Sequence, residues 1–406
     1  MAALLLTSAL AACGGGSTAE PVEPKAVVVV VGDVPYGTGP TDDAQLKAHP
    51  AFIAALNADA DASVVLHVGD IHSGKEYCTE AYDRTIAAQW STFKFPVVYT
   101  PGDNEWADCH KVKQGGGSYT AGAISLLKDA AGNLLSYVGG DPIANLQLVR
   151  SIFFPTPGKT AGVAVDVHTQ AKEFDAAYPA DAAYVENVWW MKSKVLFLTL
   201  NVPGGSNNDN DVWYGAPTAS AAQAQEIATR SAANKRWLDA AFKAAAANGA
   251  IGVVIQLQAD LWDLDGVFTA NAAGQNHIHE YKQFIDKIAT NAAGFGKPVL
   301  LFNGDSHVFR TDNPLQPGSA CAIEPSSGAA AVACSAATVP VAFGNGKVDA
   351  YENQPHGYSV PNFRRITVHG STTPLEYLKL TIDPAANAEN GTEAFGPFSW
   401  KRVKPL

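Results

Sequence analysis

The chain has 406 residues, with 28 Lys plus Arg against 39 Asp plus Glu, giving a formal net charge of −11. Hydrophobic residues make up 47% and charged ones 17%, so a full core can be buried and disorder is excluded over most of the length. The acidic balance argues against a nucleic-acid partner, which needs clustered Lys and Arg, and fits a phosphate substrate only if metal ions reverse the local charge.

The first segment is apolar from Ala2 to Ala12. It is too short to span a bilayer but suits the hydrophobic region of an export signal. It ends in Leu10-Ala11-Ala12-Cys13, which resembles a bacterial lipobox. The resemblance implies a signal peptide over residues 1–12, cleavage before Cys13 and lipid on Cys13. Residues 13–24 then form a flexible tether to a domain over residues 25–406. Gly14 in place of Asp implies an outer-membrane lipoprotein of the bacterial cell envelope. No later run is long enough for a membrane helix, so the lipid is the one expected anchor.

Short runs rich in β-branched residues follow: Val27–Val31, Val64–Val68, Val97–Thr100, Val195–Asn201, Ile251–Gln256 and Val299–Phe302. Helical spacing marks Ala44–Asn57, Ala81–Phe93, Ala219–Asn248 and His279–Ala292. Strands alternating with helices predict an α/β fold with largely parallel pairing. Phe363–His369 and Tyr377–Ile382 read as antiparallel strands that close a sheet. Residues 111–190 break the rhythm and read as a loop-rich insertion passing over the site. A second loop-rich stretch runs from Pro314 to Tyr358.

Cleavage before Cys13 leaves Cys78, Cys109, Cys321 and Cys334. An even count in an exported chain predicts disulfides. Three pairings are possible; Cys78–Cys109 with Cys321–Cys334 is favoured, since each pair closes a short stretch. No C-x-x-C spacing suggests zinc.

Four apolar runs end in the same dipeptide: Gly32-Asp33, Gly69-Asp70, Gly102-Asp103 and Gly304-Asp305. Ligands of open α/β sheets bind outside the carboxyl ends of parallel strands. Four carboxylates brought there repel one another unless protonated or bound to cations. A metal site is the economical explanation. A single Gly-Asp is ordinarily a turn or a helix cap; four in one context are not.

These residues, in this order from about Val27 to Asp383, resemble the calcineurin-like metallophosphoesterases. The family pattern is Asp-x-His, Gly-Asp, Gly-Asn-His-Asp/Glu, a lone His, and Gly-His-x-His. This chain offers Asp33-Val34-Pro35, Gly69-Asp70, Gly102-Asp103-Asn104-Glu105, Gln258 (or Gln256), and Gly304-Asp305-Ser306-His307. The resemblance implies a two-layer sandwich of mixed β-sheets flanked by helices. It also implies metal ligands at Asp33, Asp70, Asp103, Gln258, Asp305 and His307. Phosphoester hydrolysis would follow, with Asp70 bridging two metals, Asn104 on a phosphate oxygen and Glu105 holding the loop.

The departures from the pattern set the expected chemistry. Pro35, Asp103, Asn104, Gln258 and Asp305 replace the family's His, Asn, His, His and His. The new ligands are nearly all oxygen donors, which favours Mn²⁺, Mg²⁺ or Ca²⁺ over Zn²⁺. Four aspartates cancel two dications and outweigh one, so phosphate is held less strongly unless Arg310 or another cation helps. Asn104 cannot act as a general acid. His72, His110 or a metal-bound water could substitute for it, although an ordinary surface position is the expected reading of both histidines. The substrate class is a small phosphoester whose leaving group needs no proton. The rival expectation is a binding or scaffold lipoprotein that keeps the fold without catalysis. Trp106, Trp189, Trp190, Trp213 and Trp262 are expected in the core, His277 and His279 on the surface, and Asn201–Asn208 in a turn that can border the site.

Overall fold

The computed structural model describes residues 23–209, 211–263, 279–326, 328–336, 357–371 and 375–405. The stretch expected to be an export signal, Cys13 and His277 lie outside these residues.

The valine runs become strands because every second side chain has a different apolar partner. In β1 (Ala26–Val31), Val28 and Val30 face one core, while Val29 and Val31 face another. That alternation is the mark of a strand buried on both faces. Helix α1 (Ala44–Ala58) leads to β2 (Ala62–His67), and α2 (Glu80–Trp90) leads to β3 (Pro96–Tyr99). Thr79 caps α2 by accepting from the Tyr82 N–H at 3.2 Å. Helix α3 (Pro142–Phe153) starts on Asp141, whose side chain accepts from Ala144 N–H at 2.8 Å. Strands β4 (Val188–Lys192) and β5 (Val195–Thr199) form a hairpin. Helix α4 (Ala221–Ala247) precedes β6 (Gly252–Gln256), and α5 (Lys282–Phe295) precedes β7 (Val299–Asn303). Four more strands follow: β8 (Arg310–Asp312), β9 (Phe363–Thr367), β10 (Tyr377–Ile382) and β11 (Phe398–Val403).

Two mixed sheets result. The first runs β11-β10-β1-β2-β3, with β1, β2 and β3 parallel and short edge strands at both ends. The second has β9, β7, β6 and β5 parallel at its centre, flanked by antiparallel β8 and β4. Val28, Val30, Leu66, Phe197, Leu300 and Phe302 fill the space between the sheets. Phe52, Ile86, Trp90 and Phe153 cover the first sheet from α1, α2 and α3. Trp237, Leu238, Phe284 and Ile288 cover the second from α4 and α5. The fold is therefore an α/β sandwich of two mixed sheets flanked by helices, as the sequence predicts.

Two details differ from expectation. Phe363–Thr367 does not close a sheet; it pairs parallel to β7 inside the second sheet. Its pairing with β8, on the other side, is antiparallel. Arg364 and Arg365 are fully buried there, and Arg365 pairs with Asp260 and Asp312. Tyr377–Ile382 is antiparallel to both of its neighbours, as expected. Residues 111–190 carry α3 and edge strands of both sheets as well as loops.

Both expected disulfides are present, Cys78–Cys109 and Cys321–Cys334. They fit a protein that matures outside the cytoplasm. Among the described residues, no helix is long and apolar enough to cross a membrane.

Candidate metal centre

The carboxyl ends of β1, β2, β3 and β7 meet at one edge of the sandwich. Each strand turns there through its Gly-Asp pair. Asp33, Asp70, Asp305 and His307 all have positive φ, at 51°, 57°, 75° and 57°. Side chains rarely adopt this conformation, and its cost of about 1 kcal/mol or more per residue is tolerated chiefly at functional sites. The glycines are needed for close approach. A Cβ on Gly102 would lie 2.0 Å from Asp70 Oδ1, and one on Gly304 would lie 2.5 Å from Asp33 Oδ2.

Asp33, Asp70 and His307 form one compact group, with ligand atoms all within 4.8 Å of one another. His307 Nε2 lies 3.2 Å from Asp33 Oδ1. Asp33 Oδ2 is buried without a hydrogen-bond partner. Asp70 Oδ2 accepts from Tyr36 Oη at 3.0 Å, Asn104 Nδ2 at 2.9 Å and Gln258 Nε2 at 3.3 Å. Gln258 Nε2 also donates to Asp103 Oδ1 at 2.8 Å, while its Oε1 accepts from Gly204 N–H at 2.6 Å. Asp103 and Asp305 flank Gly204, each with an oxygen 2.8 Å from where its Cβ would be. Asp305 Oδ2 accepts from Asp260 N–H at 3.1 Å.

Glu105 lies beneath this group. Its Oε1 accepts from Tyr99 Oη at 2.5 Å, Gly102 N–H at 2.7 Å and Asp70 N–H at 3.2 Å. It thereby ties the β2 and β3 turns together. Thus the cleft edge gathers Asp33, Asp70, Asp103, Asn104, Gln258, Asp305 and His307, with Glu105 behind them. Gln256, the other sequence candidate, donates instead to the His67 carbonyl at 2.7 Å between the sheets.

Electrostatics follow from this crowding. Burial, then the charges of Asp103, Glu105, Asp33 and Asp305, hold the Asp70 carboxyl well above its usual range. Burial and Asp103 do the same to Asp305. Burial pushes Glu105 up to about 7. Burial pulls the His307 imidazole down, but the charge and hydrogen bond of Asp33 more than offset it, leaving it above its ordinary value. Crowded carboxyls that resist ionisation without a cation, an orphaned buried carboxylate oxygen and a convergent imidazole fit a bound divalent cation, which favours the charged forms.

Several other residues sit differently from expectation. His72 and His110 are buried, not on the surface, and burial lowers both to about 4. Neither lines the cleft. Arg310 is buried and pairs with Asp312 at 2.6 Å, so it serves the second sheet and not the cleft. Trp106, Trp189, Trp213 and Trp262 are buried as expected, whereas Trp190 is half-buried. His279 is exposed. The Asn201–Asn208 segment does border the site, through Gly204. Asn207 anchors it, donating to Ser231 Oγ at 2.9 Å and accepting from Arg230.

Sequence reasoning missed Tyr36, whose hydroxyl touches Asp70, Asn104 and His307. It also missed Lys75 and Lys113, which line the cleft of about 440 Å³ above the carboxylates. Only their closeness in sequence to the Gly-Asp turns could have signalled them.

No family model matches the chain, and no curated protein matches it in sequence. Among solved structures it is similar to PhoD, at 10% identity over 89% of this chain and 64% of that one, with a TM-score of 0.42. It is similar to purple acid phosphatase PPD1 from yellow lupin (Lupinus luteus) seeds, at 11% identity over 94% and 52%, with a TM-score of 0.38. The third is the sulfate thiohydrolase SoxB of Thermus thermophilus in complex with glycerol, at 11% over 88% and 42%, with a TM-score of 0.35. The chain thus spans less than two thirds of each. At such values the reading of the site rests on the geometry above.

Proposed function

We propose that this chain is an exported, lipid-anchored phosphoesterase that depends on a divalent cation. The observation that carries the proposal is the convergence of Asp33, Asp70 and His307 within 4.8 Å, beside Asp103 and Asp305, at the carboxyl ends of parallel strands. Asp33, Asp70 and His307 would hold the ion, with Asp103, Gln258 and Asp305 available to a second. The mainly oxygen donor set favours Mn²⁺, Mg²⁺ or Ca²⁺ over Zn²⁺. When bound, the cation supplies Lewis-acid stabilisation of charge on phosphate and an activated water.

The protein's own groups would do the rest. Asn104 would orient a phosphate oxygen through its amide. Glu105 would keep the Asp70 and Asp103 turns in register. Asn104 has no proton to give a leaving group, so aryl phosphates and anhydrides are the preferred substrates.

A binding protein without turnover is the second reading. It is favoured by Asn104, whose Nδ2 is already committed to Asp70 Oδ2 and Tyr36 Oη at 2.9 and 2.7 Å. Hydrolysis of 4-nitrophenyl phosphate by the purified chain with added Mn²⁺, Mg²⁺ or Ca²⁺ separates the two. Turnover above an Asp70→Asn control supports the enzyme. Metal binding with no turnover supports the binding protein.

A further inference from the structure

The cleft has a strongly acidic floor and a basic rim. Asp33, Asp70, Asp103 and Asp305 bring four carboxylates together; when a bound cation draws them into their ionised forms, a single dication leaves two charges uncancelled. A phosphate dianion approaching that floor is repelled, and at distances of a few ångströms the repulsion is large even at an effective dielectric near 20. Two lysines line the same cleft, Lys75 and Lys113, and both are exposed. Lys111, close by in sequence, is tied to Asp108 and Asp211 at 2.6 and 2.8 Å. Among the described residues, Lys75 and Lys113 have no carboxylate partner in an ion pair.

Their loops are built to stay in place. The Cys78–Cys109 disulfide joins the stretch after Lys75 to the stretch before Lys113. Cys78 N–H donates to the Gln114 carbonyl at 3.3 Å, and Gln114 Nε2 donates to Asn104 Oδ1 at 3.2 Å. On the other side, Glu76 Oε2 accepts from Ser73 N–H at 2.8 Å and Gly37 N–H at 2.7 Å. Gly74 brings the loops together: a Cβ there would lie 2.9 Å from Asn104 Oδ1 and 3.4 Å from Lys113 Nζ. Lys113 therefore sits beside the amide proposed to hold phosphate. Lys75 is close enough to His307 for its charge to act on the imidazole.

We propose that Lys75 and Lys113 are the specificity-determining anion clamp of this cleft, selecting phosphomonoester dianions over diester monoanions. The proposal rests on the phosphoesterase reading. The two lysines restore the positive charge that the aspartate substitutions remove, and the disulfide restrains the backbone that carries them before substrate arrives.

The test uses the full chain loaded with Mn²⁺ and a Lys75→Met, Lys113→Met double variant. Inorganic phosphate affinity is measured by calorimetry, and KM and kcat are measured for 4-nitrophenyl phosphate and bis(4-nitrophenyl) phosphate. The expected result is unchanged Mn²⁺ binding and melting temperature. Phosphate binding weakens about tenfold, about 1.4 kcal/mol. KM rises more for the monoester than for the diester, with kcat little changed, and added salt shrinks the difference between the two proteins. Equal phosphate affinity and equal KM ratios in the two proteins would overturn the clamp and leave the phosphoesterase reading standing. A parent chain that binds Mn²⁺ but neither binds phosphate nor turns over either ester would remove the phosphoesterase reading and the clamp with it.

Discussion

Asp70 is the residue on which the site turns. Its carboxylate meets Tyr36, Asn104 and Gln258, and its own N–H is held by Glu105. Asp33, Asp70, Asp103 and Asp305 were legible because each follows a glycine at the end of an apolar run, and that pattern has a physical cause in the close approach of the turns. Tyr36 was not legible: nothing in its spacing tells that the chain after Asp33 folds back over Asp70. The missing acid at Asn104 gives a residue-scale prediction. Asn104→His restores a proton donor beside Tyr36 and Asp70. It should raise turnover of an alkyl phosphate about tenfold or more while leaving aryl phosphates little changed. Steady-state kinetics on the two ester types check this, and equal effects on both would speak against a leaving-group role at this position.

Among the elements, the parallel strands were legible because their valines have two buried faces. Strand β9 is no edge: it lies between β7 and β8 although it carries the buried Arg364 and Arg365. The structure resolves the conflict with charge pairs: Arg365 meets Asp312 at 2.8 Å and also Asp260, whose Oδ2 accepts from Ser306 Oγ at 3.0 Å. This network supports the Gly304–His307 turn from behind. Arg365→Met strands the buried Asp260 carboxylate and leaves Asp312 with Arg310 alone, and should cost about 3–5 kcal/mol, measured by urea unfolding. The Cys78–Cys109 bond spans 31 residues. Replacing both cysteines by serine should cost about 3–4 kcal/mol by loop-closure entropy, read in the same experiment.

At the scale of the molecule, the start of the described chain and the cleft lie at opposite ends of the strands. Ser193 Oγ donates to the Pro24 carbonyl at 2.8 Å, at the amino ends of the strands, whereas the carboxylates crowd the carboxyl ends. An anchored chain would thus present the cleft away from its anchor. Burial of titratable groups has two opposed consequences for stability. Burial lowers His49, His67, His72 and His110 to about 4. The unfolded chain therefore takes up protons that the fold refuses as pH falls below about 6.5, and stability falls with it. Burial raises Glu105 and Asp108 to about 7. These groups keep protons that the unfolded chain gives up, so their contribution is present at low pH and fades as pH rises toward 7. A cation in the cleft competes with protons on this carboxylate cluster. The rise in melting temperature on adding Mn²⁺ should therefore be larger at pH 7 than at pH 5, a comparison that thermal scans make directly.

The claim beneath all of these is that Asp33, Asp70 and His307 hold a divalent cation. It is tested most directly by Mn²⁺ titration calorimetry on the full chain and on its Asp33→Asn, Asp70→Asn and His307→Ala variants, with circular dichroism to confirm the fold. The account predicts binding by the parent chain at no fewer than one ion per molecule, and a loss of tenfold or more in affinity in each folded variant. Folded variants that bind Mn²⁺ as tightly as the parent, or a parent that binds none, would contradict it.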